Sequence, residues 1–271
     1  MQVHRFQVEA LLVPYVDAIW TFTTETGFSP NDIRTVLPDA KLELIVPIRG
    51  TMSSDIHQQK VSLPEGQIML IGAKVEPAVL SSGPITNLGF EFRPGMAYRF
   101  LDVSMAELTN GVYPVGAIFG RMGMELQWQI ENVLTIEEKV GLIQRFLIHR
   151  LHSLSNQDRL IDAAVSMIQS NSGLMPVKTL CRELGYSKRY LDRKFRERLG
   201  FSPKTLSRIL RFQAVFNRSM MQQDSIALWK EFSDYYYDQA HFIKEFKSFT
   251  GFSPLNYAQQ INEIEQAFYH P

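Results

Sequence analysis

A single cysteine, Cys181, stands in 271 residues, so no internal disulfide framework can form and a reducing compartment is expected. No apolar run approaches the ~18 residues of a membrane span. The opening stretch, "MQVHRFQVEALLVPYVD", is broken by Glu9, Pro14 and Asp17 and lacks a signal-peptide layout. A cytoplasmic protein with no membrane association is the expectation. Also missing are a Gly-rich phosphate loop, a zinc-spaced His/Cys set and a nucleophile elbow. The six histidines are scattered, and Glu137–Glu138 reads as solvated helix charge. These absences argue against an enzyme and call for no cofactor and no metal.

The formal net charge is zero, and that total hides an asymmetry. Residues 1–157 carry an excess of four acidic side chains, residues 158–258 an excess of six basic ones, and the tail adds Glu263 and Glu265. A basic segment joined to an acidic one suits a polyanionic partner.

The basic segment contains a repeat. "LGFSPKTL" starts at Leu199 and "TGFSPLNY" at Thr250, placing Gly-Phe-Ser-Pro twice at an offset of 51 residues. Upstream, Leu191, Phe195 and Leu199 lie at i, i+4, i+8; Phe242, Phe246 and Phe249 lie at i, i+4, i+7. Both are helical stripes. Ser187 and Asp238 suit the N-caps, and Gly200 and Gly251 suit left-handed C-caps. Ser202–Pro203 and Ser253–Pro254 each open a further helix. A third copy, Gly27–Pro30, follows "IWTFTTET", which has strand composition, and reads as an unrelated turn.

At ~100° per residue, Arg189, Arg193 and Arg196 cluster opposite Leu191 and point outward. On the second stripe Ala240, Lys244 and Lys247 take those places. Each such helix needs a partner before it. "MPVKTLCRELGYSKRYL" supplies one through Val177, Leu180, Cys181 and Leu184, with a turn at Gly185 and Tyr186 packed beneath it. "SIALWKEFSDYYYDQAHF" supplies the other through Ile226, Trp229 and Phe232, with Tyr235 where the first unit has Gly185.

"LGYSKRYLDRKFRERLGFSP" and "YYYDQAHFIKEFKSFTGFSPLNY" resemble the AraC/XylS transcriptional regulators over residues 158–258. The resemblance implies two helix-turn-helix units joined by one linker helix, from Pro203 to about Met220, reading adjacent major-groove segments of duplex DNA. It implies base contacts from Arg189, Asp192 and Arg193 in the first unit and from Gln239, Ala240 and Lys244 in the second. Asp192 suits either a cytosine amine or an ion pair with Arg189 or Arg196; Gln239 suits either adenine or a capping role. Lys188, Arg196, Arg208, Arg211 and Lys247 are expected at phosphates. His241 is expected to pack or cap.

Before this module the pattern changes. "AIWTFTTE", "KLELIVPIRG", "GQIMLIGAK" and "NLGFEFRPG" read as strands, and "GMAYRFLDV" and "SMAELTNG" as helical. The fold class expected is α+β: a β-rich, barrel-like domain over 1–155, an all-α module over 158–258 and a tail over 259–271. The first domain closes with a helix near 136–154, announced by a Thr135/Glu138 capping box and carrying Ile136, Val140, Ile143, Leu147, Leu151 and Leu154. "SNQD" at 155–158 reads as a hinge. In the family such a first domain serves as sensor or dimerisation module; an enzyme or a protein-interaction module is the alternative. Trp20, Phe22, Phe90 and Phe92 are candidates for a pocket lining or for plain core. His149 and His152 have metal-ligand spacing but no third ligand nearby. Double-stranded DNA is the expected partner, and RNA polymerase, a small-molecule effector and a second copy of the chain remain open.

Overall fold

A computed structural model describes residues 1–28, 35–56, 59–154, 157–222 and 235–258. Two antiparallel sheets come first. The larger has the order β1-β2-β9-β4-β7-β10, built from Gln2–Phe6 (β1), Val16–Thr24 (β2), Glu43–Arg49 (β4), Met69–Ile71 (β7), Ile85–Phe92 (β9) and Val112–Pro114 (β10). The smaller has the order β3-β8-β5-β6, from Thr35–Val36 (β3), Met52–Ile56 (β5), Gln59–Leu63 (β6) and Ala78–Ser82 (β8). The β-rich, barrel-like domain takes the form of two facing sheets, which make no closed barrel among the described residues.

The period of two decides what each face does. On β9, Leu88, Phe90 and Phe92 point to one side, into a core shared with the helices. Ile85 and Asn87 point to the other side, towards the smaller sheet. The register sets Trp20 of β2 opposite Gly89 and Phe22 opposite Asn87. A Cβ on Gly89 would lie 2.3 Å from the Trp20 indole, so glycine lets that ring lie across the strand. Trp20, Phe22, Ile45 and Met69 then meet Met52 and Leu63 of the smaller sheet. Trp20 and Phe22 are therefore available to a pocket between the sheets, whereas Phe90 and Phe92 are core.

Helices cover the larger sheet's other face. The two short helical patterns become 3-10 turns, Ala97–Phe100 and Met105–Glu107. Helix α1, Val115–Glu131, was not expected; its Gly116, Gly120 and Gly123 dilute the helical signal, and Gly120 breaks it with φ 56°. Gln127 fixes α1 to the sheet, accepting from Ile68 N at 2.8 Å and donating to Gly66 O at 2.9 Å. Helix α2, Ile136–Ser153, carries both halves of the Thr135/Glu138 capping box and buries Val140, Ile143 and Leu147.

The remaining helices are α3 (Arg159–Ser170), α4 (Val177–Leu184), α5 (Lys188–Leu199), α6 (Pro203–Gln222), α7 (Gln239–Thr250) and α8 (Pro254–Ala258). Asp158 caps α3. One continuous buried core runs from the sheet's helical face through α2 and α3 into α5, α6 and α7. The expected partner helix around Ile226, Trp229 and Phe232, the tail over 259–271 and residues 155–156 of the hinge lie outside the described residues. So do Ser29 and Pro30 of the third tetrapeptide copy; its Gly27 has φ +75°. No helix among the described residues is long and apolar enough to cross a membrane.

A candidate nucleic-acid face and an internal cavity

The first helix-turn-helix follows from its caps. Gly185 ends α4 in the left-handed region, and the Ser187 hydroxyl accepts from Tyr190 N to start α5. Leu191, Phe195 and Leu199 are buried, which turns Lys188, Arg189, Arg193 and Arg196 to solvent. Tyr186 does not pack beneath the turn as expected. It is exposed and stacks on Tyr190, centroids 5.2 Å apart, and the Arg193 guanidinium lies 5.1 Å from the Tyr190 ring. Arg193 is thus held at the front of the helix by an aromatic shelf that the sequence pattern did not reveal. Asp192 is half-buried and pairs with neither Arg189 nor Arg196 among the described ion pairs.

The back of α5 is fixed to its surroundings. Lys194 lies 3.2 Å and Arg198 3.7 Å from Asp158. Arg198 also sits over the Tyr98 ring, and Tyr98 and Arg99 both donate to Asp162. Gly200, with φ +88°, abuts the 3-10 turn of the first domain, where a Cβ would meet Thr109 Oγ1 at 2.0 Å. Helix α5 is therefore braced from behind while its basic front stays open.

The second unit repeats the scheme. Asp238 accepts from His241 N at 2.7 Å, Gly251 ends α7 with φ +82°, and Phe242, Phe246 and Phe249 are buried. Gln239, Ala240, Lys244 and Lys247 are exposed. His241 packs its ring against Tyr236. The positive-φ non-glycine residues described are Ala40, Asn110 and Ser172, so Tyr235 does not copy the left-handed turn of Gly185.

Between the units runs α6, 20 residues long and hence about 30 Å. Leu206 and Ile209 are buried, and Phe212 and Phe216 pack on Phe246, Phe249 and Tyr257. Arg208 and Arg211, expected at phosphates, both meet a buried carboxylate that the expectation did not include. Arg208 Nε and Arg211 Nη2 each lie 2.9 Å from the carboxylate of Glu245, which is 3% exposed and also accepts from the Tyr236 hydroxyl. Burial alone would raise the Glu245 pKa, but the hydrogen bonds from both arginines outweigh it and hold the carboxyl below its usual value. The reason for the difference is that Glu245 occurs inside the apolar stripe of α7, a buried charge that must be paired. Helical spacing alone had assigned no role to it.

A cavity of about 480 Å³ lies between the sheets, within the range of small-molecule sites. Trp20, Phe22, Ile45, Met52, Ile71 and Leu80 make its apolar wall, and Leu210, Gln213 and Asn217 of α6 close one side. Gln213 Nε2 donates to Pro38 O at 2.8 Å. One end is ionic. Lys74 Nζ lies 2.6 Å from Glu43 and 3.4 Å from Asp39; Lys41 Nζ lies 2.6 Å from Glu91 and 2.7 Å from Asp17. Burial pushes Glu43 up to about 7 and raises Asp39 as well, against the pull of Lys74. Asp17, which burial would raise, is held low by Lys41. The sequence pattern missed this cluster. Its signal was charges at alternate places in an otherwise apolar run, as in "KLELIV".

Residues 180–260 match a helix-turn-helix domain family, and residues 4–114 match a domain of unknown function, DUF6597. No curated protein matches the chain. Among solved structures, wild-type ToxT from Vibrio cholerae with an unsaturated fatty acid bound is 12% identical, with a TM-score of 0.50 over 95% of this chain and 98% of that one. An apo ToxT variant from the same organism is also 12% identical, with a TM-score of 0.47 over 90% and 97%. The AraC-like transcriptional activator CuxR is 18% identical, with a TM-score of 0.30 over 71% and 79%. At 12% identity the first of these speaks for a shared fold.

Proposed function

We propose that this chain is a DNA-binding transcriptional regulator of the AraC/XylS type, which reads two adjacent major-groove segments through α5 and α7 and senses a small molecule in its β-rich domain. The observation that carries the reading is the pair of capped helices with open basic fronts, set on one helix of about 30 Å. That length suits groove faces ~34 Å apart once the width of the units is added. We assign base edges to Arg189, Asp192 and Arg193 in the first unit and to Gln239, Ala240 and Lys244 in the second. Lys188, Arg196 and Lys247 take phosphates. Arg208 and Arg211 instead set the second recognition helix against α6 through Glu245.

We divide the chain at residues 155–158, with a regulatory domain before and a DNA-binding module after. The cavity is the effector site of this reading, because α6 forms part of its wall. A ligand there bears on the same helix that carries both recognition helices, so occupancy changes their setting and the affinity for DNA. The protein works by binding, in the cytoplasm where its DNA lies.

The test is anisotropy of labelled duplex DNA with the full chain over a range of salt. Counterion release requires affinity to fall steeply as salt rises. Arg196→Ala and Lys247→Ala should each lower the salt slope by about one while leaving base preference in place. Binding that ignores salt sinks the reading.

A further inference from the structure

We infer that the ionic end of the cavity is built for an organic cation, a protonated amine carried on an apolar body. The inference rests on the effector reading and names the chemistry of that site's ligand.

Charge balance is the first ground. Towards the outer edge, Asp17 and Glu91 share Lys41, and Arg93 reaches Asp17 at 3.3 Å. Arg5 lines this edge too. The outer acids are therefore answered. Deeper in, Asp39 and Glu43 form ion pairs with Lys74, while Lys41 reaches Asp39 through its backbone N–H at 3.0 Å and across space. The deep end thus holds two carboxylates to one ammonium, while the outer edge holds Lys41, Arg93 and Arg5 to two carboxylates, so the negative excess lies at the deep end. Burial raises both Asp39 and Glu43, and the pull of Lys74 does not cancel it. A ligand ammonium supplies the missing charge. A ligand carboxylate would instead face these acids across lysines that each already hold two.

The second ground is independent of charge. Asn87, 3% exposed, lines the cavity with its Oδ1 lacking any hydrogen-bond partner. A buried acceptor left unmet is costly, and it calls for a donor from whatever fills the space. Asn217 Oδ1, on the α6 side of the cavity, is unmet in the same way. Both open positions want N–H or O–H groups. The apolar wall supplies the third requirement, since Trp20 and Phe22 present ring surface for a hydrocarbon body and for the cation beside it.

The test uses the full chain and matched probe pairs that differ in the sign of the head group: butylamine and butyrate, phenethylamine and hydrocinnamate, tryptamine and indolepropionate. Thermal shift and calorimetry follow binding at equal ionic strength, with DNA affinity measured alongside. At least one amine should stabilise the protein saturably and bind about tenfold or more tightly than its acid. Glu43→Gln should erase that preference. Asn87→Leu, which keeps the branching and removes the acceptor, should weaken amine binding on its own, so the outcome does not hang on one variant's folding. Acids that bind as well as amines, no saturable binding by any amine, or an amine preference untouched in both variants would overturn the inference. Amine binding that leaves DNA affinity unchanged would keep the ligand class and sink the effector reading. Acid binding that alters DNA affinity would do the reverse.

Discussion

Replacing Glu245 with alanine removes the one carboxylate that Arg208 and Arg211 share. Both guanidinium groups lie 2.9 Å from it, and the Tyr236 hydroxyl lies 3.1 Å away. Removing one partner of a fully buried ion pair costs about 3–5 kcal/mol. Arg211 is 18% exposed and meets that condition nearly; Arg208, at 37%, regains water and its share is screened. The expected loss is therefore about 2–4 kcal/mol. Phe242, Phe246 and Phe249 still pack, so the variant should fold. Urea unfolding of both proteins measures the difference. Its pH dependence has a definite sign. The Glu245 pKa is lowered in the fold from 4.5, so its contribution is complete above that value and is lost as pH falls through the lower folded one. The gap between wild type and Glu245→Ala should be full at neutral pH and narrow in acid. DNA affinity should fall with stability held in excess, because α7 loses its ionic tie to α6. An unchanged urea midpoint at neutral pH would refute the reasoning, since it would mean that both arginines are satisfied by water.

Arg193→Ala should cost about 1–3 kcal/mol on the best site and relax preference at one or two base pairs, measured by selection from random duplexes. Tyr190→Ala, by removing the shelf under Arg193, should loosen the same base preference to a smaller degree. Ile209→Ala truncates a fully buried side chain of α6 and should destabilise by about 2–5 kcal/mol in thermal or urea unfolding. Gly89→Val drives a side chain into the Trp20 indole and should abolish effector binding before it affects the salt dependence of DNA binding.

The helical module was legible because its signals are local. Ser187, Gly200, Ser202, Asp238 and Gly251 are caps whose identity follows from backbone geometry, and each sits where its spacing placed it. The apolar stripes of α5 and α7 were equally plain. What escaped was non-local. The pocket face of β9 shows only when strand register puts Gly89 beneath Trp20 and sends Phe90 to the opposite side. Lys74 and Glu43 are 31 residues apart and meet only in the sheet. Leu210 of α6 is half-buried and lines the cavity, a contact that helical spacing does not announce. The Glu245 pairing was hidden for the same reason, since its partners lie more than thirty residues away on another helix.

The central claim is that two recognition helices act together on one face of DNA. Hydroxyl-radical footprinting of the full chain on its selected site tests it directly. The account predicts two protected segments on the same face, centred about one helical turn, or ~10 base pairs, apart. The segment under α5 should lose its base preference with Arg193→Ala and the other with Lys244→Ala. A single protected segment, or two segments that both respond to the same one of these changes, would contradict it.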